Sequence, residues 1–406
     1  MKLPEPIEHL FDQLTRVATK SAAWILLIGA VLLTTVGIFS IGIVEPGLAS
    51  RQGSVWVPIA IFGLLVAFLP RPRWIGTSAY PLMAFALALL ILLVLPFTPR
   101  WLVPVINGAK AWINLGVMNF QPAELTKVAF VLAMAWYLRH RKSHRTLLGL
   151  LKPFLLMLVP VALILKQPDL GTAILFAPTL FIMLLAAGAR LKHLVGLIGV
   201  AAVVIGVNIL IALYAPDSMQ LLKPHQRERI VSMISLAQGD TRYATTTGYQ
   251  QDTAMTLVSA GGLTGYDPQR VRDMIQLNKL PFDHNDMIFA VVCARWGWLG
   301  GFGLMALYMM IVTAMVLIAA ELKDPFARLA TVGFAGILFT QASINIGMTV
   351  GLLPITGITL PFVSYGGSSL LFSAVMIGLV LNFASRRPAP LARPSFEFDN
   401  AEAIFQ

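Results

Sequence analysis

The side chains best suited to chemistry stand at Asp283, His284 and Asp286, two carboxylates and an imidazole grouped together. They close a polar stretch that opens at Gly261 and runs straight into an apolar one, Met287 to Gly301. An ionisable group at the edge of a membrane span is expensive to hold, so it is a functional candidate by default. A carboxylate in that position suits a general base, taking the proton of an attacking hydroxyl. Cations that can hold an anion lie elsewhere: Lys127, one turn into an apolar segment, and Arg227 and Arg229 in the run His225-Gln226-Arg227-Glu228-Arg229. Two guanidinium groups at a membrane surface can clamp a diphosphate through bidentate, charge-assisted hydrogen bonds.

Each of these residues also has a plain structural reading. Asp286 precedes Met287-Ile288-Phe289 and has the type preferred for a helix cap. In Gln121-Pro122-Ala123-Glu124-Leu125-Thr126-Lys127, Pro122 suits the first helical position, and Glu124 can pair with Lys127 at i,i+3. A Lys without polar neighbours would cost roughly 3 kcal/mol inside a span, so the functional expectation is that Lys127 faces a polar cavity. Asp169, in Gln167-Pro168-Asp169-Leu170-Gly171-Thr172, reads as a cap or first-turn acid with Lys166 nearby. The charges at 225–229 also fit a solvated face. The stretch from Asn345-Ile346-Gly347-Met348 through Pro354 and Pro361 to Ser364-Tyr365-Gly366-Gly367-Ser368-Ser369 is dense in Gly, Pro and Ser. It demands irregular backbone at membrane depth, tolerated where it is buried in protein or lines a wet cavity. Close helix–helix contact through small residues is the alternative.

The elements that position these groups follow from composition. The 406 residues are 57% hydrophobic and 12% charged, with mean hydropathy +0.77. A soluble domain carries about twice that charge fraction. Apolar runs of about 20 residues recur, each enough to cross roughly 30 Å of hydrocarbon, and the expectation is an all-α polytopic membrane protein of about ten spans. The segments run 21–44, 54–70, 78–97, 122–138, 147–165, 171–189, 193–215, 286–320, 329–350 and 365–385. The first is read as retained, because no small-residue cleavage site follows it. Organisation follows as an N-terminal segment 1–20, spans 1–7 over 21–215, a large loop 216–285, spans 8–10 over 286–385, and a tail 386–406.

Lys and Arg in the short connections set the orientation. Arg71, Arg73, Arg139, Arg141, Lys142, Arg145, Arg190, Lys192, Lys323 and Arg328 all fall on one side, with Arg386 and Arg387. Both termini are therefore expected in the cytoplasm, and the 216–285 loop and the Asp286 junction outside, beyond the reach of cytosolic nucleotides. The net charge of +11 reflects cytoplasmic loops facing anionic lipid rather than nucleic acid. Cys293 is the only cysteine, which excludes an internal disulfide and a Cys/His metal cluster.

Taken in order, Trp112-Ile113, QPAELTK, QPDLGTA, QRERI, Pro281 to Asp286-Met287-Ile288-Phe289-Ala290, and NIGMTVGLLPITGITLPFVSYGGSS resemble the SEDS family of RodA/FtsW-type proteins. The resemblance implies a peptidoglycan glycosyltransferase that polymerises lipid II, an undecaprenyl-diphosphate-linked disaccharide peptide, at the outer face of the bacterial cytoplasmic membrane. It aligns the family's essential acid with Asp286 and implies a class B penicillin-binding protein as partner, with no organic cofactor. The short N-terminal segment and QRERI point toward the RodA-like branch. In this frame Asp286 is the base, while Lys127, Arg227 and Arg229 stabilise the leaving diphosphate. A divalent cation, Mg or Mn, can bridge Asp286 and the phosphates. Glu124, Asp169, Asp283, Ser364 and Tyr365 complete the expected substrate-binding set.

The chain departs from the family pattern in three places. Pro281-Phe282 stands where relatives carry Pro-Glu, with Asp283 one place later; Cys293-Ala294-Arg295-Trp296-Gly297 stands where relatives carry a Glu pair before the Gly; and Lys110-Ala111-Trp112 lacks the usual second Arg. Arg295 thus puts a base inside a span where relatives have an acid. Intramembrane Glu124, Lys127 and Arg295 with broken helices also fit a flippase for the same lipid. A non-catalytic scaffold for the penicillin-binding protein is the third reading.

Overall fold

In hydrocarbon a segment must satisfy its backbone hydrogen bonds internally, so long apolar runs fold as helices. A computed structural model describes residues 21–106, 108–116, 119–214, 224–238, 248–278, 280 and 284–386. Its principal helices are α1 (Ser21–Val44), α2 (Pro46–Phe68), α3 (Ala79–Val94), α4 (Pro122–Leu138), α5 (Leu151–Lys166), α6 (Leu170–Ala186) and α7 (Leu191–Tyr214). After them come α8 (Pro224–Ala237), α9 (Tyr249–Ala260), α10 (Pro268–Asn278), α11 (Ile288–Glu321), α12 (Pro325–Thr349) and α13 (Gly367–Ser385). Among the described residues, seven helices are long and apolar enough to cross a membrane, α5 when the helical turn from Leu148 that leads into it is included; α3 and α6 are shorter apolar helices, and α4 has 17 residues. Every expected span corresponds to one of these helices.

The boundary that differs most from expectation is that of α2, which starts at Pro46 rather than Ser54. Arg51 and Gln52 look like loop residues by hydropathy. Gln52 is nevertheless buried and donates to the Ser364 carbonyl at 3.3 Å. The helix carries it there through a π-turn over Gln52–Trp56, a widening that lets one extra residue into the helix.

In the bundle, α13 packs along α2, and α11 lies between α1 and α12. Within their spans, 72% of α12 and 78% of α13 are buried against 6% of α7, so the first two form the centre and α7 the periphery. Between α12 and α13 the chain runs as an irregular strap, residues 350–366, in line with its Gly and Pro content. Tyr308 on α11 donates its hydroxyl to the Pro361 carbonyl in this strap. Gly37 on α1 permits the approach, because a Cβ there would lie 2.5 Å from the Val363 carbonyl oxygen.

The long α11 is broken at Gly297, whose φ of 65° and ψ of −165° belong to a region open essentially to glycine alone. The turn after α9 enters this break. Trp298 N donates to the Gly262 carbonyl at 2.9 Å, Leu299 N to Leu263 at 3.2 Å, and Tyr266 N to Ala294 at 3.0 Å. Backbone groups freed by the break thus find partners in the inserted loop, as buried peptide groups must. Arg295 also belongs to this joint, donating from its guanidinium to the Tyr266 carbonyl at 3.0 Å. A Cβ at Gly297 would stand 2.3 Å from the Leu263 carbonyl. Gly297→Ala is therefore expected to destabilise the joint by at least about 2 kcal/mol and to speed amide exchange over residues 261–266. Exchange at the wild-type rate would show that the joint does not need glycine.

Candidate functional site

The acid junction and the cation meet in one cavity. At the start of α4, Pro122 takes the first helical position after an extended Gln121. Gln121 N donates to Ser368 Oγ at 3.2 Å, which ties this end of α4 to the start of α13. One helical turn in, Lys127 Nζ lies 2.9 Å from Glu124 Oε1 and donates to Gln341 Oε1 at 2.8 Å. Lys127 is 2% exposed and Glu124 5%, so the ion pair is held out of bulk solvent. Both readings of this segment apply, since the pair forms and both side chains also line a cavity of about 450 Å³.

Asp286 lines the same cavity and is buried, at 8% exposure. The capping expectation for it fails. The helix begins at Ile288, its cap position is Met287, and no side chain caps it. The carbonyl of Asp286 instead accepts from Asn345 Nδ2 at 2.9 Å, which holds the turn against α12. Burial pushes the Asp286 carboxyl up to about 6; its own backbone N–H, the Arg229 guanidinium, His284 and the Gln250 amide all pull the other way without prevailing.

Asp169 caps α6 as expected, accepting from Thr172 N at 2.9 Å and Thr172 Oγ1 at 2.8 Å. It also accepts from Gln121 Nε2 at 3.1 Å and lines the cavity. Tyr365 is a further wall residue; its N–H donates to the His284 carbonyl at 2.9 Å and its hydroxyl accepts from Trp56 Nε1 at 3.4 Å.

Two expected contacts are corrected. Arg227 and Arg229 do not form a clamp. They sit two residues apart on the helix α8, and such positions point in nearly opposite directions. Arg229 lines the cavity and donates to the Ile355 carbonyl at 2.9 Å, while Arg227 Nε donates to the Ala212 carbonyl near the end of α7. Ser364 is likewise absent from the wall. Buried in the strap, it accepts from Leu360 N at 2.7 Å and donates to the Asn285 carbonyl. Its work is to fasten the strap to the acid junction. Asp283 lies outside the described residues.

Gln250 and Gln341 also line the cavity, outside the polar clusters that the sequence marks. Gln341 had a legible signal, being one turn before Asn345 on the same face of α12. Gln250 had none. Among the described residues, no group of three or more His, Cys, Asp or Glu side chains is arranged to hold a metal ion.

Helices of membrane-spanning length surround an end-on cavity walled by a buried acid, an ion-paired ammonium and a guanidinium. That arrangement defines a polytopic membrane protein with a polar site at one end of its bundle. The chain belongs to the cell cycle protein family of FtsW, RodA and SpoVE, whose profile matches residues 15–388. It is 35% identical over 330 residues to the probable peptidoglycan glycosyltransferase FtsW of Thiomicrospira cyclica, covering 79% of this chain and 78% of that protein. It is 33% identical over 281 residues to the peptidoglycan glycosyltransferase MrdB of Escherichia coli K12, covering 69% and 72%. Similar identities to both leave the chain in the family without assigning it a branch. Among solved structures it superimposes on a chain of a peptidoglycan synthase complex described as coordinating polymerization and crosslinking, with a TM-score of 0.73, 30% identity and coverage of 90% and 98%. The rod shape determining protein RodA of Thermus thermophilus gives a TM-score of 0.65 at 28% identity, again covering 90% and 98%. The chain is thus a multi-pass bacterial membrane protein.

Proposed function

We propose that this protein is an inverting peptidoglycan glycosyltransferase that polymerises lipid II at the outer face of the cytoplasmic membrane, for cell-wall growth in elongation or division. The observation that carries the reading is a single cavity holding Asp286, Lys127 and Arg229 together. The lipid II sugar is α-linked to diphosphate and the strand is β-1,4-linked, so one displacement suffices. The acceptor hydroxyl attacks the anomeric carbon, its proton passes to Asp286, and the carbon–oxygen bond to the diphosphate breaks. Asp286, raised by burial to about 6, is ionised at neutral pH yet basic enough to accept that proton. Lys127 and Arg229 face the charge that grows on the departing diphosphate. A Mg²⁺ or Mn²⁺ would be held by the Asp286 carboxylate, which would then titrate lower than the metal-free group. Such an ion would neutralise leaving-group charge.

The asymmetry of Lys and Arg supports cytoplasmic termini and an external cavity. Likeness to a chain of a synthase complex supports a class B penicillin-binding protein as partner. The test is strand formation from labelled lipid II by the purified protein with that partner, its transpeptidase inactivated. The base works when deprotonated, so without added divalent cation the rate is expected to be half-maximal near pH 6 and to fall toward acid. A rate that stays flat down to pH 5 would remove Asp286 from the base role. Transfer of lipid II across vesicles without strand formation would favour the transporter reading.

A further inference from the structure

Two buried amides, one turn apart on α12, connect the two sides of the cavity. Gln341 is 2% exposed and Asn345 0%. Gln341 accepts from Lys127 Nζ at 2.8 Å through Oε1 and donates through Nε2 to the Thr359 carbonyl at 2.9 Å. Asn345 donates through Nδ2 to the Asp286 carbonyl at 2.9 Å and to the Ile358 carbonyl at 2.6 Å. Each amide thus joins one functional segment to one of two consecutive strap residues.

The orientation of both amides follows from their partners. An ammonium needs an acceptor and a carbonyl needs a donor, so Gln341 fits only one way round. Turning Asn345 over would set its oxygen against two carbonyls, and its Oδ1 makes no hydrogen bond among the described residues. A neutral amide is the side chain that meets both demands without adding a buried charge. The strap then returns to the acid, with Ser364 donating to the Asn285 carbonyl and Tyr365 N to that of His284.

We propose that Gln341 and Asn345 are positioning residues that set the separation of the Lys127 ammonium from the Asp286 carboxylate. Lys127 comes from α4 and Asp286 from the turn before α11, far apart in the chain, and the face of α12 is their shared reference. The inference rests on the polymerase reading, in which the two groups serve the leaving diphosphate and the attacking hydroxyl in one transition state. A displacement of about 1 Å in such a pair can lower turnover about 100-fold while ground-state binding survives.

Isosteric carboxylates test this. Gln341→Glu keeps an acceptor for Lys127 but turns an oxygen toward Thr359, and Asn345→Asp cannot donate to two carbonyls. In the lipid II assay with the partner present, each is expected to lower kcat per folded molecule about 10- to 100-fold with KM within about twofold, beyond the fall in Tm that a buried carboxylate facing carbonyl oxygens brings. Gln341→Met, which removes both bonds at similar volume, should behave as Gln341→Glu does. Wild-type kcat in Gln341→Glu would reduce Gln341 to a neighbour of Lys127 and overturn the proposal. A kcat that returns to the wild-type value once counted per folded molecule would make the amides packing residues and overturn it equally. If Gln341→Glu fails to fold, Asn345→Asp decides by the same criteria. An inactive wild type would bring down the polymerase reading and this inference with it, whereas active wild type beside an active Gln341→Glu brings down this inference alone.

Discussion

Asp286→Asn is expected to lower glycan-strand formation by about 10²- to 10⁴-fold, the range that a positioned general base contributes. The substitution keeps shape and removes the charge. It does not disturb a cap, because the cap position of α11 belongs to Met287. The Asp286 carbonyl still accepts from Asn345, so the turn should hold its place. Stability should move the opposite way from activity. The carboxyl ordinarily titrates near 3.8 and rises to about 6 in the fold, so the folded state binds the extra proton between those values. Stability is then greatest at low pH, falls as pH rises through that window, and stays lower above it. The shift corresponds to about 3 kcal/mol above pH 6, which Asn does not incur. Asp286→Asn should therefore melt higher than wild type at pH 8 while making almost no strands. Equal polymerisation by the two proteins would send the search for the base to Asp283 or Glu124.

A second large effect is expected at the buried ion pair. Lys127→Met strands the Glu124 carboxylate, and breaking a buried pair from one side costs about 3–5 kcal/mol. Activity should vanish too, but that alone would not separate folding from chemistry. Pairing it with Glu124→Gln does. The double variant replaces two charges by neutral groups of similar volume and should recover most of the lost stability, since buried pairs are often matched by such replacements. Polymerisation should stay down by about 10²- to 10³-fold if the ammonium meets the developing diphosphate charge. Thermal unfolding and the lipid II assay on the four proteins settle this; a double variant that polymerises at the wild-type rate would make Lys127 a structural cation.

The sequence by itself determined the helical spans and several helix starts, because these depend on local properties. Apolar length dictates a span, Pro122 opens α4, and Asp169 caps α6, each as read from a few neighbouring residues. It also marked the polar clusters that the bundle gathers around one cavity. Only the tertiary structure decided what those clusters do. Asp286 has the sequence of a cap and the position of a buried acid, since the turn before α11 is pulled onto Asn345 rather than wound into the helix. Arg227 and Arg229 look like a pair until α8 turns them apart. Gln52 looks like a loop residue until the strap supplies the Ser364 carbonyl. Arg295 looks like a misplaced charge until the inserted loop brings Tyr266 to it. For Asp286, Gln52 and Arg295 the deciding partner is remote in the chain, and a buried polar group takes its role from the partner that satisfies it; for Arg227 and Arg229 the helix itself decides, by setting positions two apart on different faces.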